Sequence, residues 1–86
     1  MELKDTVGLM LSDKFEDRLI AEYLQAKIRY EKLSEVLEAI KIGSDLAPSV
    51  EDARILLIQL ASIGAYVETL KFRTERIGID LPEVAI

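Results

Sequence analysis

"ARILLIQLASIGAYV", residues 53–67, decides the fold. Only Arg54, Gln59 and Ser62 carry a clearly polar side chain in it, and Tyr66 adds a hydroxyl. A helix packed in a small domain needs a single apolar stripe of about 100°, whereas this segment is apolar on nearly every side. The excess predicts two covered faces, one against the rest of the chain and one against something further.

Outward from that stretch, Ala53, Leu56, Leu60, Ile63, Val67, Leu70 and Ile77 recur three and four apart, with Thr74 as a polar interruption, and so predict a helix over 50–77. Ser49 is its N-cap, Glu51 and Asp52 suit its positive end, and Gly78 ends it. Upstream, Phe15, Leu19, Tyr23, Ala26, Tyr30, Leu33, Leu37 and Ile40 form a matching seam, which predicts a helix over 13–41 capped by Ser12 and closed by Gly43. The turn-like "GSDLAPS" (43–49) makes the pair an antiparallel hairpin in which residue numbers summing to about 91 face one another. Leu3, Val7 and Leu11 predict a short helix over 1–11. Residues 78–86 read as an extended tail, because Pro82 forbids a helix there, and Ile79, Leu81, Val84 and Ile86 give it apolar anchors. The expectation is one all-α domain over residues 1–86.

Composition narrows the function. The 86 residues contain no cysteine and no histidine, which removes disulfides, thiolate nucleophiles, imidazole bases and most zinc sites. No catalytic set and no metal or cofactor site is expected: the serines have no base, "GSD" is no phosphate loop, and Glu31, Glu35 and Glu38 make an ordinary solvated face. Eleven basic and sixteen acidic residues leave a net charge of -5, which opposes nonspecific binding to DNA, RNA or an anionic membrane. "MELKDTVGLML" does not read as a secretory signal. The apolar stretch around residue 60 reads as too short for the roughly 20 residues a bilayer needs. A cytoplasmic protein without a transmembrane segment is expected.

The two flanks of the hairpin differ. On one, Ile20, Leu24 and Ile28 face Leu57, Ile58, Ala61, Gly64, Ala65 and Phe72 in an apolar strip with small residues at its centre, which suits a subunit interface. The alternative is that the N-terminal helix and the tail fold back over this strip within one chain. On the other flank, Arg18, Glu22, Gln25, Arg29 and Lys32 face Gln59, Ser62, Tyr66, Thr69, Arg73 and Arg76. Arginine forks match phosphates, Tyr66 offers a stacking face, and Gln59 can read a base or ribose, so Arg18, Arg29, Lys32, Gln59, Tyr66, Arg73 and Arg76 are the candidate ligand-binding residues. A solvated face in which Glu22 pairs an arginine is the simpler reading of the same stripe.

Arg29, Tyr30, Lys32 and Leu33 make R-Y-x-K-L within "AEYLQAKIRYEKL" (21–33). Gln59, Leu60, Ile63, Tyr66 and Arg73, with Gly78, Ile79 and Leu81, follow at helical spacing within "LLIQLASIGAYVETLKFRTERIGIDL" (56–81). These residues resemble a family of small proteins encoded by tailed bacteriophages and prophages, crAss-like phages among them. Ile63 stands where the family pattern has methionine, and the turn "IGSDLAPSV" differs from its usual loop. The resemblance implies a phage origin, action in the host bacterial cytoplasm and an accessory role against the host. By architecture the hairpin resembles the oligomeric helical sponge proteins with which phages sequester the cyclic nucleotide or cyclic ADP-ribose signals of CBASS and Thoeris immunity. A noncatalytic homo-oligomer that holds a small phosphorylated nucleotide is therefore the leading expectation. A module that inhibits a host protein through the apolar strip is the alternative.

Overall fold

Ser49 opens the longest apolar segment with its own side chain. Its hydroxyl accepts the Asp52 N–H at 3.2 Å and donates to the Asp52 carboxylate at 2.9 Å, so two polar groups of the first turn are satisfied locally. From there α3 runs over Val50–Arg76. It stops where Gly78 adopts φ +76°, a left-handed conformation that costs glycine little, and where Ile79 N–H turns back to Thr74 C=O at 2.9 Å. The computed structural model of the chain describes residues 1–41 and 49–82. The expected turn at Gly43 and the tail anchors Val84 and Ile86 lie outside the described residues.

The first long helix, α2, spans Phe15–Lys41 and starts two residues later than the sequence pattern suggests. Ser12 still holds its approach, accepting Lys14 N–H at 3.1 Å and donating to Asp17 at 2.7 Å. Before it, the expected single helix is split into a 3-10 turn, Leu3–Thr6, and one α-helical turn, α1, Val7–Met10. The described residues are helical with no strand.

Helices α2 and α3 run antiparallel: Glu22 on early α2 meets Arg73 and Tyr66 on late α3, and Tyr30 meets Gly64. Leu19, Tyr23, Leu24, Ala26, Val67 and Leu70 form the buried core, with Ile63, Ile79 and Leu81 packed on it. The first residues of the tail therefore dock on their own chain. Thr74, the polar interruption of the seam, is buried with its hydroxyl donating to Lys71 C=O at 2.8 Å.

The N-terminal segment covers the opposite side of α2 and makes no comparable contact with α3. Thr6 is buried there, donating to Leu3 C=O at 2.7 Å and accepting from the Gln25 amide at 2.9 Å. Ala21 and Ile28 lie on the same helical stripe as Gln25 and are 1% and 0% exposed. This corrects the apolar strip. Leu24 and Ile28 are already buried, while Leu57, Ile58, Ala61, Ala65 and Phe72 remain exposed on α3. Gly64 turns inward, where a Cβ would stand 3.1 Å from the Tyr30 ring, so its missing side chain serves the α2–α3 contact.

Length bears on the membrane expectation. Helix α3 has 27 residues and an 18-residue window of mean hydropathy 1.4, of which only 11% is buried. By length and composition it is long and apolar enough to cross a membrane, which the apolar run around residue 60 alone did not suggest.

Candidate functional site

The seven candidate residues do not form one continuous groove. Arg18, Gln25 and Lys32 recur every seven residues on α2 and share a stripe turned toward the N-terminal segment. Arg18 Nη1 donates to Ser12 C=O at 2.9 Å, Gln25 Nε2 to Thr6 at 2.9 Å, and Lys32 Nζ pairs with Glu2 at 2.8 Å. The N-terminal segment thus engages Lys32 through Glu2, and the approach to α2 takes up Arg18 through Ser12. The Lys32–Glu2 bond raises the lysine pKa and lowers that of the carboxyl, with their mutual charge acting the same way.

At the centre of the flank, the Tyr66 hydroxyl donates to Glu22, and Arg73 Nη1 stands 3.8 Å from the other carboxylate oxygen of Glu22. The simpler reading of the stripe, with Glu22 pairing an arginine, is what the structure contains at this point. The Tyr66 pKa is raised first by that hydrogen bond, then by burial and the Glu22 charge, with Arg73 opposing. Tyr66 as a residue remains 44% exposed.

Two hollows flank this cluster. Toward the far end of the helices, Arg29, Lys32 and Gln59 share one of about 360 Å³ with Leu33, Val36 and Ile63. Near the start of α2, Arg73 and Arg76 line another of about 240 Å³ with Phe15, Leu19 and Ile77. The structure therefore groups Arg29 with Lys32 and Gln59, and Arg73 with Tyr66 and Arg76. Ser62 and Thr69 turn their hydroxyls back to the carbonyls of Ile58 and Ala65 at 3.0 and 2.8 Å.

The opposite flank was read as apolar, yet it holds a polar hollow of about 440 Å³ lined by Lys27, Tyr30, Glu31, Gly64, Val67, Glu68 and Lys71. Lys71 pairs with Glu68 at 3.3 Å, and Lys27 Nζ lies 5.8 Å from the Tyr23 ring centroid. The signal was present in the four-residue spacing of Tyr23, Lys27 and Glu31, which places them along one edge of α2. The apolar side chains of α3 lie further round, on its outer face.

Chemically, these hollows offer guanidinium and ammonium donors, an amide and an aromatic face, all suited to holding an anion with a planar group. Among the described residues, no group of three or more aspartate or glutamate side chains is placed to hold a metal ion. Comparison with the curated proteins and with the solved structures yields no match. Comparison with protein families does: the Sequestin model matches residues 13–76, from the approach to α2 through the end of α3. That is 64 of 86 residues and includes every candidate ligand-binding residue, so this chain belongs to the Sequestin family.

Proposed function

We propose that the protein sequesters a small phosphorylated nucleotide without cleaving it, and that the ligand is a cyclic nucleotide-type immune signal of a bacterial host. The observation that carries this reading is the hollow where Arg29, Lys32 and Gln59 converge between α2 and α3. Arg29 neutralises phosphate, joined by Lys32 once the phosphate displaces Glu2 from it, the amide selects a base or ribose, and Leu33, Val36 and Ile63 supply an apolar floor. The family's name, which denotes sequestration, supports the same role. Tyr66 and Arg73 join the site once a competing phosphate displaces Glu22 from them. In this reading the protein is phage-encoded, acts in the host cytoplasm, needs no cofactor and carries out no reaction. Its long helices form a hairpin that assembles as a homo-oligomer.

Native mass spectrometry with a panel of cyclic di- and trinucleotides and cyclic ADP-ribose isomers tests this. Stoichiometric ligand recovered unchanged after denaturation is the expected result, and the double variant Arg29→Ala with Gln59→Ala should weaken binding about tenfold or more, as loss of charge-assisted hydrogen bonds does. Indifference to the whole panel would remove the reading. The exposed outer face of α3 favours the second one, in which the chain inhibits a host protein by binding it.

A further inference from the structure

We infer that the flank of the hairpin opposite Tyr66 and Arg73 holds a second binding site, built for phosphate in the interior of a molecule, as in a pyrophosphate that joins two hydroxyl-bearing groups. The hollow of about 440 Å³ beside Tyr30 and Gly64 adjoins another of about 350 Å³ lined by Tyr23, Thr74, Glu75, Asp80 and Pro82. Lys27 and Lys71 line both, so the two ammonium groups mark the divide between them. Each hollow is of the size, roughly 300–1,000 Å³, in which small-molecule sites fall.

Helical spacing sets these groups in order. Tyr23, Lys27 and Glu31 recur every four residues on α2, and Gly64, Glu68, Lys71 and Glu75 every three or four on α3, so each set lines one edge of its helix. Because the helices run antiparallel, the two edges carry the same sequence of charge. Along the groove it runs negative, positive, negative: Glu75 and Asp80 at one end, Lys27 and Lys71 in the middle, Glu31 and Glu68 at the other. Both lysines are half-buried. Lys71 pairs with Glu68 at 3.3 Å, whereas Lys27 makes no ion pair among the described residues and rests 5.8 Å from the Tyr23 ring centroid. Two ammonium groups at one divide repel each other and favour an anion between them.

The order of charge selects where in the ligand the phosphate lies. Phosphate at the divide gains both ammonium groups, and hydroxyl or amino groups on either side of it donate to the carboxylates at the ends. A terminal phosphate would instead meet Glu31 and Glu68, or Glu75 and Asp80, and be repelled by them. Tyr30 gives the first hollow an aromatic wall beside Gly64, where a Cβ would stand 3.1 Å from the ring. No residue of this groove lines the hollow of Arg29, Lys32 and Gln59, so the inference stands apart from the nucleotide reading of that one.

Titration calorimetry on the full chain tests this with two matched pairs of probes, UDP-glucose against UTP and ADP-ribose against ATP. Each pair shares its nucleoside, and the phosphates are internal in the first member and terminal in the second. At least one of the two diesters should bind, about tenfold or more tighter than its triphosphate. Lys27→Gln should weaken that binding about tenfold or more with helicity unchanged, as loss of a charge-assisted hydrogen bond does. If Lys27→Gln loses helicity, Lys71→Gln decides. The same titrations are repeated in the double variant Arg29→Ala with Gln59→Ala, which takes the other hollow out of play, and the preference for the diester should persist there. Failure of either diester to bind, triphosphates that bind as tightly, a lysine variant that binds like the unaltered protein, or a preference that vanishes in the double variant would each overturn the inference. Failure of the nucleotide reading at the Arg29 hollow would leave all of these arms readable.

Discussion

Gly64 sits where α3 passes the Tyr30 ring, and its cost to the helix is balanced by that contact. Glycine within a helix is destabilising by about 1 kcal/mol relative to alanine, but a Cβ at this position would meet Tyr30 Cε2 at 3.1 Å. Gly64→Ala should therefore change stability little with Tyr30 present and stabilise by about 1 kcal/mol in a Tyr30→Leu background. Chemical denaturation of the four proteins checks this, and an equal effect in both backgrounds would mean that the ring does not hold the glycine in place. At Tyr66 the donated hydrogen bond to Glu22 holds the phenol above its ordinary value. Because the folded value lies above the unfolded one, the associated stabilisation is complete below about pH 10 and is lost as pH rises through the folded value. Ultraviolet titration should show Tyr66 ionising above the ordinary tyrosine value, and Glu22→Gln should bring it back toward that value. Sequence spacing placed Glu22, Tyr66 and Arg73 on one flank correctly. It also allowed Glu22 to pair an arginine, but did not show that the same carboxylate takes the Tyr66 hydroxyl, because side-chain reach depends on rotamers that spacing does not encode.

Each long helix of this fold has two working faces, and only the inner one is legible as a seam. The seams of α2 and α3 follow from three-and-four spacing, and Ser49 and Gly78 mark the ends of α3 by local chemistry that any sequence displays. The second face of α2 suits a subunit interface in the sequence because Ile20, Leu24 and Ile28 are apolar and face small residues on α3, with cover by the N-terminal helix as the alternative. What the pattern did not reveal is that Thr6 and Glu2 find Gln25 and Lys32, contacts 19 and 30 residues apart in the chain. These contacts lay the N-terminal segment along α2 and draw Arg18 and Lys32 toward it. Two measurements separate the assignments. Ile28→Ala should cost about 2–5 kcal/mol, as for other fully buried aliphatic side chains, and by the same amount at every protein concentration, since Ile28 is covered by its own chain. A loss that grew on dilution would return Ile28 to a subunit interface. Ser49→Ala should cost about 1 kcal/mol through the lost cap, read in the same denaturation experiment.

Charge is unevenly divided over the molecule as a whole, and under the proposed function this sets assembly and ligand capture in opposition. In that reading copies assemble against the repulsion of a net charge of -5, while Arg29, Lys32 and Arg73 attract phosphate by their positive charge. Added salt screens both terms, with a Debye length falling from about 10 Å at 0.1 M to about 3 Å at 1 M. Screening weakens the repulsion between copies but leaves hydrophobic burial in place, so assembly should tighten as salt rises. Screening also weakens the attraction between exposed cations and phosphate, so nucleotide affinity should fall over the same range. Sedimentation and calorimetry on one preparation, at three salt concentrations, read the two trends side by side. Assembly that loosens with salt would mean that ion pairs rather than apolar contacts hold the copies together. Nucleotide affinity that ignores salt would mean that the cations of the flank do not touch the phosphate, and would leave the apolar floor of Leu33, Val36 and Ile63 as the binding surface.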